Sequence, residues 1–359
     1  MIDKTIPFPV GDNPTEARLL YGVSAPDGLT LLEDNSVQTI CTSPPYWGLR
    51  DYGADGQIGL EDDIEEYIAN LVAVFDECKR VLRKDGTLWL NLGDSYAGGG
   101  RAGKNPEYHS KHTMFGKTVD ESETGRFGVP KPIPNGLKAK DLVGIPWRVA
   151  LALQADGWYL RNDIIWSKGN PMPESAKDRF TRSHEYVFLF SHPESSGKYY
   201  FDAHSVREPC SDGSLKDLKR RKNLNNKGGG KGSFDEVRGD LTRSRADYFQ
   251  EDGYRNRRTV WDINTKPFGG AHFAVWPTEL VELMVVAGSP VDGTVLDPFS
   301  GSATTGAVAL ANGRNYVGVD LNEDYFPLAE CRIQGIKVSK PKSVVPEVTT
   351  LDMFGIEND

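Results

Sequence analysis

The chain has 359 residues, 38% of them hydrophobic, and 42 Lys and Arg against 51 Asp and Glu give it a net charge of −9. That length and apolar content suit one large α/β domain with insertions, or two ordinary domains, each with a real core. No apolar run reaches the roughly 18 residues of a membrane span, the start MIDKTIPFPVGDNP has no signal-peptide pattern, and four scattered cysteines without a C-x-x-C pair argue against zinc or a disulfide framework and for a cytoplasmic location.

In chain order, SVQTICT reads as a buried strand that must stop at Ser43, because Pro44 and Pro45 cannot donate to a ladder and restrict what precedes them. Apolar residues at 64, 67, 68, 71, 74, 75, 78, 81 and 82 mark a helix with acids in its first turn and bases in its last, closed by Gly86. TLWLNLGDS is a strand running into a glycine-rich loop, and residues 96–140 lack apolar periodicity over a length that marks a functional or disordered segment. Pro146 opens a helix closed by Gly157, followed by the strands WYLRNDIIWSKG and HEYVFLFSH. Residues 195–258 are polar, basic and glycine-rich. Order resumes with the helix AHFAVWPTELVELMVVAGS, carrying Pro277 in its first turn, then the strand GTVLDPF, a helix over 302–312, the strand NYVGVDL and a helix beginning near Glu323. Strands and helices alternate at both ends of the chain, which predicts one α/β domain interrupted by an insertion. Its parts are 1–194 (with the basic loop 96–140), the insertion 195–258, the second half 259–338 and a tail 339–359.

The charge is unevenly spread. Residues 214–233 hold seven Lys or Arg and one Asp, and residues 98–140 hold eight basic and four acidic residues. Basic irregular segments on an acidic body can steer a polyanion to one face, although a solvated charge run has the same composition.

Two motifs carry chemistry. In VLDPFSGSATTGAVALANGRNYVGVDLNEDY a strand ends at Asp297, a small-residue loop runs through Ser300, Gly301, Ser302 and Ala303, and the next strand ends at Asp320. Such a turn lets a ligand approach the backbone, and an acid at the second strand tip accepts from ribose hydroxyls. The loop is not G-x-G-x-x-G, and Asp297 would repel a pyrophosphate. A nucleoside cofactor with a cationic end, S-adenosylmethionine, fits better, with a plain βαβ crossover as the competing reading. The second motif, TSPPYW, offers hydroxyl and carbonyl acceptors, no competing donors and an aromatic face, which suits a planar ring bearing an amino group; taken by itself it reads rather as a packed strand end.

TSPPYW resembles the catalytic motif of the amino-group DNA methyltransferases, D/N/S-P-P-Y/F, and DPFSGSATTG resembles their S-adenosylmethionine motif. HFAVWPTEL is similar to the segment that packs on bound cofactor, and RNDIIWSKGNPMPES to a later block. Catalytic motif first and cofactor motif last is the permuted β-group order. The resemblance, over about two-thirds of the chain, implies a Rossmann-like, doubly wound, mostly parallel sheet with circularly permuted motifs and an inserted irregular DNA-recognition region. It implies methyl transfer from S-adenosylmethionine to the exocyclic amino group of a base flipped out of double-stranded DNA. Ser43 and the Pro44 carbonyl then hold the amino hydrogens, Pro45 keeps the corner rigid and Tyr46 stacks on the base. Asp297 faces the methionine ammonium, Asp320 holds the ribose, Gly301 allows close approach, Phe299 and Phe273 supply apolar walls, and Thr42, Ser302 and Thr304 complete the cofactor side. Trp47, Lys219, Arg220, Arg221, Lys222, Arg255, Arg257 and Arg258 are the DNA-contact candidates. Cys41 belongs to the core, and the lack of a P-C dipeptide speaks against ring-carbon methylation. Ser43 points to cytosine N4, with adenine N6 as the alternative and a non-catalytic DNA-binding module as the reading from another class. No metal is expected. A cognate restriction endonuclease, a prokaryotic or phage origin and sliding-clamp docking through TLDMF in the tail complete the expectations.

Overall fold

The computed structural model describes residues 1–8, 14–49, 53–98, 133–134, 136–211, 213, 253–265, 276–338 and 348–350. Contacts divide the chain into two units, Met1–Tyr200 with Val260–Asp359, and Phe201–Thr259. The strands are β1 (Ile2–Phe8), β2 (Thr15–Tyr21), β3 (Val37–Thr42), β4 (Leu82–Leu92), β5 (Tyr159–Ser167), β6 (His184–Ser191), β7 (Glu208–Pro209), β8 (Tyr254–Arg255), β9 (Val260–Asp262), β10 (Thr294–Asp297), β11 (Asn315–Asp320), β12 (Ile336–Val338) and β13 (Val348–Thr350). The helices are α1 (Ala25–Leu29), α2 (Ile64–Val81), α3 (Ile145–Ala155), α4 (Thr278–Gly288), α5 (Thr304–Ala311) and α6 (Phe326–Ile333).

Nine strands of the first unit form one sheet in the order β1-β2-β11-β10-β3-β4-β6-β5-β9. The five strands from β2 to β4 run parallel to their neighbours. At the edges β1 is antiparallel to β2, β6 to β4 and β5 to β6, and β9 returns parallel to β5. The middle of the sheet is therefore the expected parallel core, with antiparallel margins.

Period-2 alternation puts successive side chains on opposite faces. Ile40, Leu88 and Leu90 join one apolar cluster with Leu71, Val74 and Phe75 of α2 and Val149 and Leu153 of α3. Their neighbours Thr39, Thr87 and Trp89 meet Gly288 at the end of α4 on the other side, where a Cβ would come within 2.6 Å of Thr39 Oγ1. Helices thus cover both faces, as a sheet buried on both sides requires.

α2 forms where its apolar stripe predicts. Asp63 caps it by accepting from the Glu65 N–H at 3.2 Å, Glu65 and Glu66 lie in the first turn, and Lys79 and Arg80 in the last, each complementing the helix dipole. Its end differs from the sequence reading. The helix stops at Val81, Leu82 turns to extended backbone, and β4 begins at once, so Gly86 lies inside a strand. Pro277 also shifts, capping α4 from outside its first turn.

The strand successions place the site. β3 passes through α2 to β4 on one side, and β10 passes through α5 to β11 on the other. β3 and β10 are adjacent and parallel, so the direction of winding reverses between them, and the crevice beyond their carboxyl ends is where such sheets bind ligands.

Candidate active site

Thr42 and Asp297, 255 positions apart in sequence, close the two adjacent strands: Thr42 Oγ1 donates to Asp297 Oδ1 at 2.7 Å. Asp297 also accepts from Thr305 Oγ1 at 2.7 Å and from the Phe299 N–H at 3.1 Å. Burial pushes its carboxyl up to about 6, against the pull of those three donors. Thr42 is fully buried, so its hydroxyl ties β3 to β10.

Past Asp297 the chain turns through two left-handed residues, Gly301 at φ 51° and Ala303 at φ 56°, before α5 begins. Glycine adopts this backbone without penalty, whereas Ala303 needs outside support. That support comes from below. The Tyr21 hydroxyl donates to the Gly301 carbonyl at 2.8 Å, and Ser300 Oγ lies 2.8 Å from the hydroxyls of both Tyr21 and Tyr316. Arg332, partly buried, donates to Ser302 Oγ at 2.9 Å and to Thr304 Oγ1. Ser302 and Thr304, expected on the cofactor side, therefore have hydroxyls held by this guanidinium. Asp320 takes the Gly301 N–H at 2.6 Å and the Asn322 N–H at 2.9 Å. Burial raises it to about 7, opposed by those backbone bonds and reinforced by the Asp297 charge.

On the other side of the switch point, the prolines end β3 as the sequence requires. The Tyr67 hydroxyl donates to the Pro45 carbonyl at 2.9 Å, and among the described residues no donor reaches the Pro44 carbonyl. Tyr46 packs its ring on Gly93, where a Cβ would lie 2.6 Å from Cε2. Its hydroxyl donates to Glu185 Oε2 at 2.7 Å or to Asn91 Oδ1 at 3.0 Å. Ser43 Oγ is 3.4 Å from both the Tyr46 hydroxyl and Asn91 Oδ1. Asn91 is fixed in turn by donating to the Tyr186 carbonyl at 3.0 Å, and Lys168 donates to Glu185 Oε1.

One cavity of about 1280 Å³ is lined by Ser43, Pro44 and Tyr46 on one flank and by Asp297, Phe299 and Asp320 on the other. The two sequence motifs thus face one space. Sequence reading missed Asn91, Glu185, Lys168, Tyr21 and Arg332. Two of these had a signal: Asn91 interrupts the apolar run LWLNL, and Glu185 opens the otherwise apolar strand EYVFLF.

Trp47 is a correction. It is 2% exposed and its Nε1–H donates to the Glu61 carbonyl at 2.9 Å, so it packs largely in the core and only borders the cavity. Arg255 and Arg258 both pair with Glu208 Oε1, at 2.9 and 2.6 Å, and Arg257 Nε donates to the Val206 carbonyl at 2.8 Å. Those bonds lie within the second unit and tie the β7–β8 ribbon to its flanks. Phe273, Lys219, Arg220, Arg221, Lys222, most of the loop 96–140 and the TLDMF segment lie outside the described residues or have no described side chains. Cys41 is buried and its thiol is pushed up by burial, as a core residue should be. Among the described residues no group of three His, Cys, Asp or Glu is placed to hold a metal ion, and no helix is long and apolar enough to cross a membrane.

This geometry agrees with the comparisons. The profile of the DNA methylase family matches residues 37–331. The type II methyltransferase M.Cfr9I of Citrobacter freundii is 45% identical over 308 residues, covering 86% of this chain and 84% of the relative. M.SmaI of Serratia marcescens is also 45% identical, over 84% and 86% of the two chains. Among solved structures, PvuII DNA methyltransferase, described as cytosine-N4-specific, superposes with a TM-score of 0.53 at 17% identity, covering 88% of this chain and 85% of the other. A putative DNA modification methylase from Thermus thermophilus, solved with S-adenosyl-L-methionine, gives 0.50 at 22% identity over 88% and 92%. The chain belongs to the DNA methylase family, as a site-specific amino-group methyltransferase whose methyl donor is S-adenosylmethionine.

Proposed function

We propose that this enzyme methylates N4 of cytosine in double-stranded DNA, with the base swung out of the helix into the cavity between Tyr46 and the 298–303 loop. The observation that carries the reading is the 2.7 Å bond from Thr42 to Asp297, which puts the S-P-P-Y corner and the D-P-F-S-G loop on one crevice. Ser43 in place of an acid or amide favours cytosine over adenine, following the tendency of the family that the motif resembles.

The donor set fits the cofactor. Two acids at the tips of β10 and β11, Asp297 buried and Asp320 partly buried, favour a cationic, phosphate-free ligand, and Phe299 beside them offers an apolar wall. Asp320 is assigned the ribose. Asp297 acts on the ammonium end while holding β3 and β10 together. When bound, S-adenosylmethionine supplies an electrophilic methyl group on a sulfonium. The chain's own part is positioning. An amino group conjugated with its ring is a weak nucleophile, and acceptors on both its hydrogens, Ser43 Oγ and the Pro44 carbonyl, favour a pyramidal nitrogen with a free lone pair. Tyr46 holds the ring flat, as flipped bases require. Residues 195–258 are assigned to target recognition, and the type II names of the relatives support a cognate endonuclease reading the same site.

Paired substitutions separate the two flanks. Ser43→Ala should keep affinity for S-adenosylhomocysteine and lose about 10²-fold or more of the single-turnover rate, whereas Asp320→Ala should lose the affinity itself. A Ser43→Ala enzyme methylating at the wild-type rate would overturn the assignment.

A further inference from the structure

We infer that Glu185 is the terminal acceptor of the proton released by the methylated amino group, reached through Ser43 and Tyr46. The inference rests on the reading just given and adds a positioning residue to it.

Chemistry demands an acceptor. As the nitrogen bonds to the methyl carbon, the sulfonium C–S bond breaks and its electron pair stays on sulfur, so the positive charge moves to nitrogen. The nitrogen then holds one proton too many. Neither group expected to touch it can keep that proton: a serine hydroxyl and an amide carbonyl are far too weakly basic. In the D and N versions of this motif the first residue is itself a carboxylate or amide. Here it is a hydroxyl, and the Glu185 carboxylate lies beyond it through the Tyr46 hydroxyl.

The geometry supplies that step. Ser43 Oγ can pass its proton to the Tyr46 hydroxyl 3.4 Å away as it takes one from the nitrogen, and the Tyr46 hydroxyl already donates to Glu185 Oε2 at 2.7 Å. The first of these distances is long, as catalytic hydrogen bonds are before substrate binds. The proton ends on Glu185, which becomes a neutral acid and later returns it to solvent. Every atom is then accounted for without a further reactant.

The surroundings fit a carboxylate held for this purpose. Glu185 is 18% exposed and Lys168 17%, and their ion pair fixes Oε1, leaving Oε2 for Tyr46 and for Asn91 Nδ2 at 3.2 Å. Lys168 is itself pinned over the Trp166 ring, 4.1 Å from its centroid. Among the described residues, the charged and titratable groups bonded to Glu185 are Lys168, just past β5, and Tyr46 from the corner after β3. A purely structural acid near the start of β6 would not need its second oxygen aimed at a residue of the catalytic motif.

The test is single-turnover methylation by Glu185→Gln, Glu185→Asp and Glu185→Ala, with S-adenosylhomocysteine affinity measured by calorimetry on each. Glutamine still accepts from Tyr46 but cannot hold the proton, so the rate should fall about 10²-fold or more with cofactor affinity unchanged. Aspartate should recover part of the loss, and formate added to Glu185→Ala should restore a concentration-dependent rate. In a Tyr46→Phe background, Glu185→Gln should cost little more, because the two act in series. A wild-type rate in Glu185→Gln overturns the inference, and so does a slow variant that neither formate nor aspartate improves. The wild-type product is read in parallel. A base other than cytosine methylated, with Glu185→Gln still slow, retains Glu185 and overturns the cytosine reading.

Discussion

Asp320 binds a proton in the folded chain that an ordinary aspartate has lost, because burial moves it from 3.8 to about 7, and Asp297 moves from 3.8 to about 6 for the same reason. Between about pH 4 and 7 the folded state therefore holds more protons than the unfolded one, and the contribution of this pair to stability falls as pH rises through that window. A ligand carrying positive charge favours the ionised acids, so it binds more tightly as pH rises through the same range and releases protons on binding. Titration with S-adenosylhomocysteine at pH 6.5, in two buffers of different ionisation enthalpy, should show that release. Asp320→Asn should reduce it, and an unchanged release would contradict the assignment. At this scale the strand tips were legible: Pro44 after Ser43 and Pro298 after Asp297 mark where β3 and β10 stop, and Asp320 is the acid that closes the apolar run of β11. Trp47 was not: an aromatic next to a motif carries no mark of which way its ring turns, and here the Glu61 carbonyl draws the indole inward. The partner of the Ser302 and Thr304 hydroxyls was hidden for a related reason, since Arg332 lies 30 residues from Ser302 in sequence and nothing local announces it.

The bond from Thr42 makes β3 and β10 one structural element at their tips. Thr42→Val keeps the shape and removes one of three donors to a buried acid. It should cost about 1–3 kcal/mol, read by urea unfolding, and weaken cofactor binding with it. A variant as stable as the parent would show that the tie is incidental. The elements whose type and place were read correctly, α2 and α4 apart from one end each, α3, β5, β6 and β10 to α6, are those with apolar stripes or clear stop signals. The β1–β2 hairpin was overlooked because β1 is an edge strand with mostly exposed side chains, Ile6 and Phe8 alone being buried, and with a proline at position 7. An edge strand tolerates that proline because one of its sides needs no donors. The end of α2 was misplaced because β4 starts without a turn, so no glycine was needed where one was sought.

For the whole molecule, a net charge of −9 sets a DNA-binding protein against its polyanionic partner unless cations are concentrated where DNA lies. The basic run 214–233 is the natural place. Replacing Lys219, Arg220, Arg221 and Lys222 with serine should flatten the dependence of log affinity on log salt by roughly one unit for each phosphate no longer neutralised, with S-adenosylhomocysteine affinity unchanged. An unaltered slope in filter-binding or anisotropy titrations would assign the phosphates to other cations. The permuted order of the motifs was readable from sequence, but the adjacency that gives it meaning belongs to the sheet, which sets strands from opposite ends of the chain side by side. Arg255, Arg257 and Arg258 carry the same compositional signal as the run at 219–222, and the structure adds that Glu208 and the Val206 carbonyl engage them. The measurement that reaches the central claim most directly is product analysis. The purified protein is incubated with unmethylated double-stranded DNA and S-adenosylmethionine, the DNA is digested to nucleosides, and the methylated base is identified by mass spectrometry. The account predicts N4-methyldeoxycytidine, lost in Ser43→Ala; N6-methyldeoxyadenosine as the sole product would contradict it.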